Sequence, residues 1–356
     1  MATMSKIHEV AKAAGVSPAT VSRSFRTPDL LSQQTRHRVL EAANRLDYRP
    51  RQQRPSKPQH DDASPTAFLG KDALGFLFFG LNRDANKISH FYSSVLMGAQ
   101  AEAARLGLHF VVDTLPRLRK ADSLPKMLRE DAVAGMLLVG AAPADVLAPL
   151  QDIVPMVLVD NQDKSAQHDS ILADDFGGGM AATRYLLEMG HTKIGFLMNE
   201  PMAPSFKARY QGYLSAHFEA GITPDRKWVI SAEPDQPIDQ LLRPLLLCNK
   251  RPTAFFAASD FNAFNIMKEC RETGVRVPED LSIIGFDNDT FSDHTSPPLT
   301  TIHVDKDYMG RLAVRRLYMR IMEAQEGRSP EPAIHIHLQA SLIVRDSCVP
   351  QPSPKS

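Results

Sequence analysis

Three aspartates stand just beyond apolar, strand-like runs. Asp160 ends the Val157–Val159 run, Asp260 follows Phe255–Ala258, and Asp287 follows Ile283–Phe286. A carboxylate at such a point can accept paired hydrogen bonds from adjacent hydroxyls, which is how a polyol is oriented. Arg209, in the loop-to-helix segment after Met198, adds a planar fork of donors. Phe91 and Tyr92 offer aromatic faces to the apolar side of a ring. These are the candidate effector-binding residues. Asp260 reads equally well as the cap of the helix that follows it, and Phe91 as a core residue.

No arrangement suited to bond-breaking accompanies them. The chain has no G-x-S-x-G elbow, and Gly177-Gly178-Gly179 lacks both the G-x-G-x-x-G spacing and the Gly-Lys-Ser/Thr of a phosphate loop. Those glycines suit a close packing turn instead. His335 and His337 share one strand face without a third ligand, and Cys248, Cys270 and Cys348 have no paired spacing. The expectation is a binding protein, with no catalytic residue, metal or cofactor.

A second constellation lies near the N-terminus. Ile7, Val10, Ala11 and Ala14 form an i, i+3, i+4, i+7 stripe, with Ser5 placed to cap it and Gly15 to end it. Ser17 then caps a second helix with Pro18 at its first position, and Val21 and Phe25 turn inward. A third helix after Ser32 is expected to bury Val39, Leu40, Ala43 and Leu46. Two short helices around a Gly-Val-Ser turn make a helix-turn-helix. Ser17, Pro18, Ala19, Ser22 and Arg23 stay near or on the free face of the second helix. Small residues there admit close approach to a major groove, and Arg23 can reach a guanine edge.

The charge distribution agrees. Residues 1–60 carry eleven Lys/Arg against four Asp/Glu, a net +7, which leaves −7 on the rest of a formally neutral chain. A basic head on an acidic body fits a polyanion binder. Residues 51–73 are rich in Pro, Gln, Ser and charge and read as a linker. Neither a secretion signal nor an apolar run long enough to cross a bilayer is seen, so a cytoplasmic protein is expected.

From Leu74 onward apolar runs alternate with helical patterns: 74–79, 109–112, 135–139 and 156–159, then 193–198, 254–257 and 281–286. That alternation predicts an α/β body of two doubly wound parallel lobes, with the ligand between them at the carboxyl ends of the strands.

The stretch Ile7 to Arg23 (IHEVAKAAGVSPATVSR) and Leu46-Asp47-Tyr48-Arg49-Pro50 resemble the head of the lactose/galactose repressor (LacI/GalR) family. In the body the resemblance runs through Gly190-His191-Thr192-Lys193-Ile194, Arg209-Tyr210-Gln211-Gly212-Tyr213, Ser259-Asp260, 277–287 (VPEDLSIIGFD) and Pro298-Leu299-Thr300-Thr301-Ile302. It implies that Pro18, Ala19 and Arg23 read bases, while Ser17, Thr20, Ser22, Ser32 and Tyr48 pack or contact phosphate. Arg26 stands where the family commonly has Asn. Arg51, Arg54 and Lys57 replace the Asn, Ala and Leu of the family's hinge helix, and Pro55 and Pro58 interrupt that segment. A disordered tether or a basic arm along the DNA are the two readings of it. Arg209 and Asp287 match ligand-contact positions, as do Asp160, Phe91 and Tyr92. Val304 and Pro234 stand where some members have a polar contact and an aromatic.

The resemblance implies a ligand-controlled transcription regulator, acting as a repressor and a homodimer on a near-palindromic operator of double-stranded DNA. Its effector would be a sugar or sugar derivative, with a purine as the alternative. The domain expectation is a helix-turn-helix head over 5–50, a linker over 51–73, a periplasmic-binding-protein-like body over 74–347 and a disordered tail over 348–356. An uptake binding protein and a nucleotide-dependent enzyme share the body pattern. Neither explains the basic head.

Overall fold

The computed structural model describes residues 6–18, 20–21, 24, 33–46, 72–79, 90–115, 124–142, 144–150, 153–162, 167–199, 203–232, 236–329 and 331–351. The chain divides into two compact units, residues 1–63 and 64–356.

In the first unit, α1 (Lys6–Ala14) and α2 (Gln33–Arg45) flank a short helical stretch that includes Pro18, Thr20, Val21 and Ser24. Gly15 takes the left-handed conformation at φ +63°, and the Val16 N–H returns to the Ala11 carbonyl at 3.0 Å, closing α1. Ser17 is the expected cap: its Oγ accepts the Thr20 N–H at 3.1 Å. Val10, Ala11, Ala14, Val21, Val39, Ala42 and Ala43 form the core. Ala42 replaces Leu46 in the expected inward set. Leu46 follows the last helical turn and is exposed.

The second unit contains two six-stranded sheets. Its elements are β1 (Ala73–Phe79), α3 (His90–Arg105), β2 (His109–Leu115), α4 (Lys126–Arg129), β3 (Gly135–Val139), α5 (Ala144–Leu147), β4 (Met156–Val159) and β5 (Asp169–Ala173). They continue with α6 (Asp175–Glu188), β6 (Ile194–Met198), α7 (Pro204–Glu219), β7 (Val229–Ser231), α8 (Ile238–Leu246), β8 (Ala254–Ala257) and α9 (Asp260–Thr273). The last are β9 (Ser282–Asp287), β10 (Thr300–His303), α10 (Lys306–Gln325), β11 (His335–Leu338) and β12 (Ser341–Ile343).

One sheet has the order β11-β5-β4-β3-β1-β2, the other β12-β10-β9-β8-β6-β7. All pairings are parallel except β10 with β12, so the second lobe is mixed rather than purely parallel. The central strands β1, β3, β4, β6, β8 and β9 are buried along their whole length. That is the consequence of helices on both faces, and it is why they read as continuous apolar runs.

The chain crosses between lobes three times. It leaves β5 for α6, which packs with β8, β10 and β12; it leaves β10 for α10, which packs on β3, β4, β5 and α3; and it leaves β11 for β12. A reading in linear order assigns everything after Asp174 to the second lobe. The fold returns α10 and β11 to the first.

The tail also departs from expectation, because residues 348–351 are held against the second lobe. Ser282 Oγ accepts the Val349 N–H at 3.1 Å, and the Gln351 N–H reaches the Met189 carbonyl at 2.8 Å. His191 Nε2 lies 2.9 Å from the Val349 carbonyl.

Candidate effector site between the lobes

The loops that leave β4, β5, β8, β9 and β10 bring the candidate residues together. Asp160 directly follows β4 and Asp287 ends β9. They adopt φ values of +53° and +105°, with Asn288 at +49°. Non-glycine residues rarely occupy that region, and where they do the surrounding bonds must hold them there.

Arg209 is the hub. It projects from α7 and is 3% exposed. Nε donates to Asp175 Oδ1 at 2.8 Å, Nη1 donates to the Ala258 carbonyl at 2.5 Å, and Nη2 stands 3.1 Å from Asp287 Oδ1. The guanidinium carbon lies 3.7 Å from the Phe286 ring centroid. Burial opposes the charge, but Asp287 and Asp175 outweigh it, with a smaller contribution from Asp160, so the guanidinium is held more firmly protonated than usual. Burial in turn pushes the Asp287 carboxyl up to about 8. Arg209 opposes that shift and the neighbouring Asp260 reinforces it.

On the first lobe's side, the Tyr92 hydroxyl donates to Asp160 Oδ2 at 2.5 Å, and the Tyr92 ring packs 5.0 Å from that of Phe78. Phe91 stands edge-on to Tyr92 and lies 6.0 Å from the Lys306 ammonium. A cavity of about 140 Å³ opens beside this set, at the carboxyl ends of β4, β5 and β11. Asp160, Gln162, Asp175, Pro204, Ser205 and His337 are among the residues that line it.

Asp260 is neither a cap nor an open pocket carboxylate. Ser259 caps α9, its Oγ accepting the Asn262 N–H at 3.3 Å. Asp260 is wholly buried and accepts from the Asp289 N–H at 2.7 Å and from the Ser292 and Thr301 hydroxyls at 2.5 Å each. Three internal donors occupy it, so its work is to hold the 287–292 turn that presents Asp287. Burial raises its carboxyl to about 6 against the pull of those three bonds.

Two residues missed in the sequence belong to the site. Asp175 is the counter-ion of Arg209; the Asp174-Asp175 pair ahead of the three glycines was its only signal. Lys306, first residue of α10, is 8% exposed and bonds the Asp287 and Asn288 carbonyls. Val304 is buried in the core. The glycines do serve close packing: a Cβ on Gly178 would strike the Phe286 ring, and one on Gly179 the backbone of Arg209. Trp228 ends a short 3-10 turn before β7 and is half-buried. His337 is exposed, and no group of three or more candidate metal ligands occurs among the described residues.

Of the candidate DNA-contact residues, Ser17, Pro18 and Thr20 are described, and Ser17 Oγ lies 2.9 Å from Thr20 Oγ1. Ala19, Ser22, Arg23, Arg26, Ser32, Tyr48, Arg51, Arg54 and Lys57 lie outside the described residues.

Comparison with known proteins assigns both units. Residues 6–51 match the bacterial regulatory proteins of the lacI family, and residues 183–348 match a periplasmic binding protein-like domain. The HTH-type transcriptional repressor PurR of Pasteurella multocida (strain Pm70) is 31% identical over 97% of this chain and 98% of its own length. PurR of Haemophilus influenzae (strain PittEE) is 31% identical over the same shares. Among solved structures, the transcriptional regulator CelR–cellobiose complex has a TM-score of 0.69 and 28% identity, covering 96% of this chain and 99% of that one. The lac repressor dimer bound to operator and the anti-inducer ONPF has a TM-score of 0.65 and 24% identity, covering 96% and 98%.

Proposed function

This chain belongs to the lacI family of bacterial transcription regulators, whose DNA binding answers to a small molecule, and on that premise we propose that the molecule held between its lobes is a neutral carbohydrate. The observation that carries this reading is the surround of Arg209. One guanidinium serves Asp175 and Asp287, with Asp160 near enough to act on it. An anionic effector would find the guanidinium's edges already taken by Asp175, the Ala258 carbonyl and Asp287. A polyol brings hydroxyls that donate to carboxylates and accept from Nη and ring-hydroxyl groups, at no net charge. The cellobiose complex of CelR points the same way.

The protein works by binding rather than catalysis. It acts in the cytoplasm as a homodimer, with two heads on the half-sites of a near-palindromic operator. Arg23 reads a base edge, and Ser17 preorganises the recognition helix as its cap.

A thermal-shift and calorimetry panel of cellobiose, ribose, glucose 6-phosphate and adenine tests the ligand class. A neutral sugar should give a saturable rise in stability, worth about 2.7 kcal/mol at a hundred times its Kd. A rise with glucose 6-phosphate or adenine and none with either sugar would overturn the carbohydrate reading.

A further inference from the structure

Lys306 enters the effector site from an unusual position. Helix α10 packs on the sheet and α3 of the first lobe, while its first residue reaches into the second. The ammonium donates to the carbonyls of Asp287 and Asn288, two consecutive residues with positive φ. The same ammonium lies 6.0 Å from the ring of Phe91, on the first turn of α3. One side chain thus binds the turn that carries Asp287 and lies beside the aromatic turn of the opposite lobe.

We infer that Lys306 is a positioning residue that holds the left-handed Asp287–Asn288 turn in its ligand-ready shape and ties occupancy of Asp287 to the first lobe. The inference rests on the effector-site reading above. A backbone pair at φ +105° and +49° persists only where surrounding bonds hold it. Beneath the turn, Asp260 holds the Asp289 N–H and the Ser292 hydroxyl. Thr301, His303 and Arg345 hold the Asn288 N–H and side chain from within the second lobe. Lys306 instead holds the carbonyls of the two residues before Asp289, from the first residue of a helix that packs on the other lobe. When a ligand hydroxyl engages the Asp287 carboxyl, any shift of its backbone pulls directly on the first residue of α10. Coupling between sites needs such an element, whose placement both sites bias.

Two variants test this, Lys306→Met and Lys306→Arg, in the full-length protein. Hydrogen exchange in the absence of ligand comes first. Exchange at residues 288–292 should quicken at least tenfold in Lys306→Met relative to α9 and recover in Lys306→Arg. Unchanged exchange in Lys306→Met overturns the inference whether or not any sugar binds. The second readout is the ratio of operator Kd with and without saturating cellobiose or ribose, whichever shifts the wild type. That ratio should fall towards one in Lys306→Met and return in Lys306→Arg. A wild-type ratio in Lys306→Met, even with a lowered Tm, would reduce Lys306 to a structural residue and leave the carbohydrate reading standing. Silence of the wild type towards both sugars, with adenine or glucose 6-phosphate active, fails the carbohydrate reading alone; the ratio is then taken with the active compound and decides Lys306 by the same outcomes.

Discussion

Arg209 and Asp287 meet through two neighbouring residues of one strand. The guanidinium carbon lies over the Phe286 ring, 3.7 Å from its centroid, and Nη2 faces Asp287 Oδ1 at 3.1 Å. With Nε turned to Asp175 and Nη1 to the Ala258 carbonyl, Nη2 faces Asp287 Oδ1 without a linear hydrogen bond. A ligand hydroxyl can supply the bond that Arg209 does not.

That geometry sets a pH dependence. The Asp287 carboxyl is raised to about 8 in the fold, against about 4 when unfolded. Between those values the folded state holds a proton the unfolded state lacks, so stability falls as pH rises through the window. Relative to Asp287→Asn, the wild type should lose stability as pH rises from 5 to 7, by roughly 1 kcal/mol per pH unit. Urea unfolding of both proteins at several pH values measures this. A difference independent of pH would show that Asp287 ionises as an ordinary carboxyl.

Asp169 should behave in the opposite sense. Burial disfavours its charge, but bonds from Arg320, the Ile334 N–H and Arg316 outweigh that and lower its pKa. Its contribution is therefore present above about pH 4 and lost as pH falls through the depressed folded value. Asp169→Asn leaves two largely buried guanidinium groups without their charge partner and should cost about 3–5 kcal/mol at pH 7. Chemical denaturation gives the number, and a loss under 1 kcal/mol would mean the arginines find other partners.

Gly179→Ala tests the link between packing and site. The new Cβ would overlap the Arg209 backbone, so α6 and α7 must separate. We expect a loss of about 1–3 kcal/mol, as for overpacked cores, together with a weakened response to the effector. Gly221→Ala is the control, since a Cβ there meets nothing and only its positive φ is at stake. A full effector response in Gly179→Ala would uncouple Arg209 from the helix crossing.

On the DNA side, Arg23→Ala should weaken operator binding by about 1–3 kcal/mol and random DNA by less. Equal losses on both would make Arg23 a phosphate contact. Replacing Arg51, Arg54 and Lys57 together by Ala should lower the salt slope of operator binding by up to about three units if each neutralises a phosphate. Fluorescence titrations over a salt series measure both.

Much of this molecule is written locally. Ser17, Pro18 and Gly15 mark helix ends whatever surrounds them, because caps and left-handed stops act within one turn. The β1, β3, β4, β6, β8 and β9 runs announce themselves because strands covered on both faces must be apolar throughout. Arg209 and Asp287 stand out in the sequence by their place after strands and by family likeness, and the fold brings them to within 3.1 Å of one another. What the sequence could not determine is which distant elements share a sheet. Strand β11 pairs with β5 across more than 160 residues, and α10 returns to the first lobe only because its apolar face fits β3, β4 and α3. No local pattern encodes that, and so Asp175, Lys306 and the Asp169 cluster stayed hidden, each made functional or structural by partners far along the chain. Asp260 shows the same limit from the other side. Its neighbours allowed a cap or a ligand contact, and only the folded 287–292 turn, with three donors converging on one buried carboxylate, decided for neither.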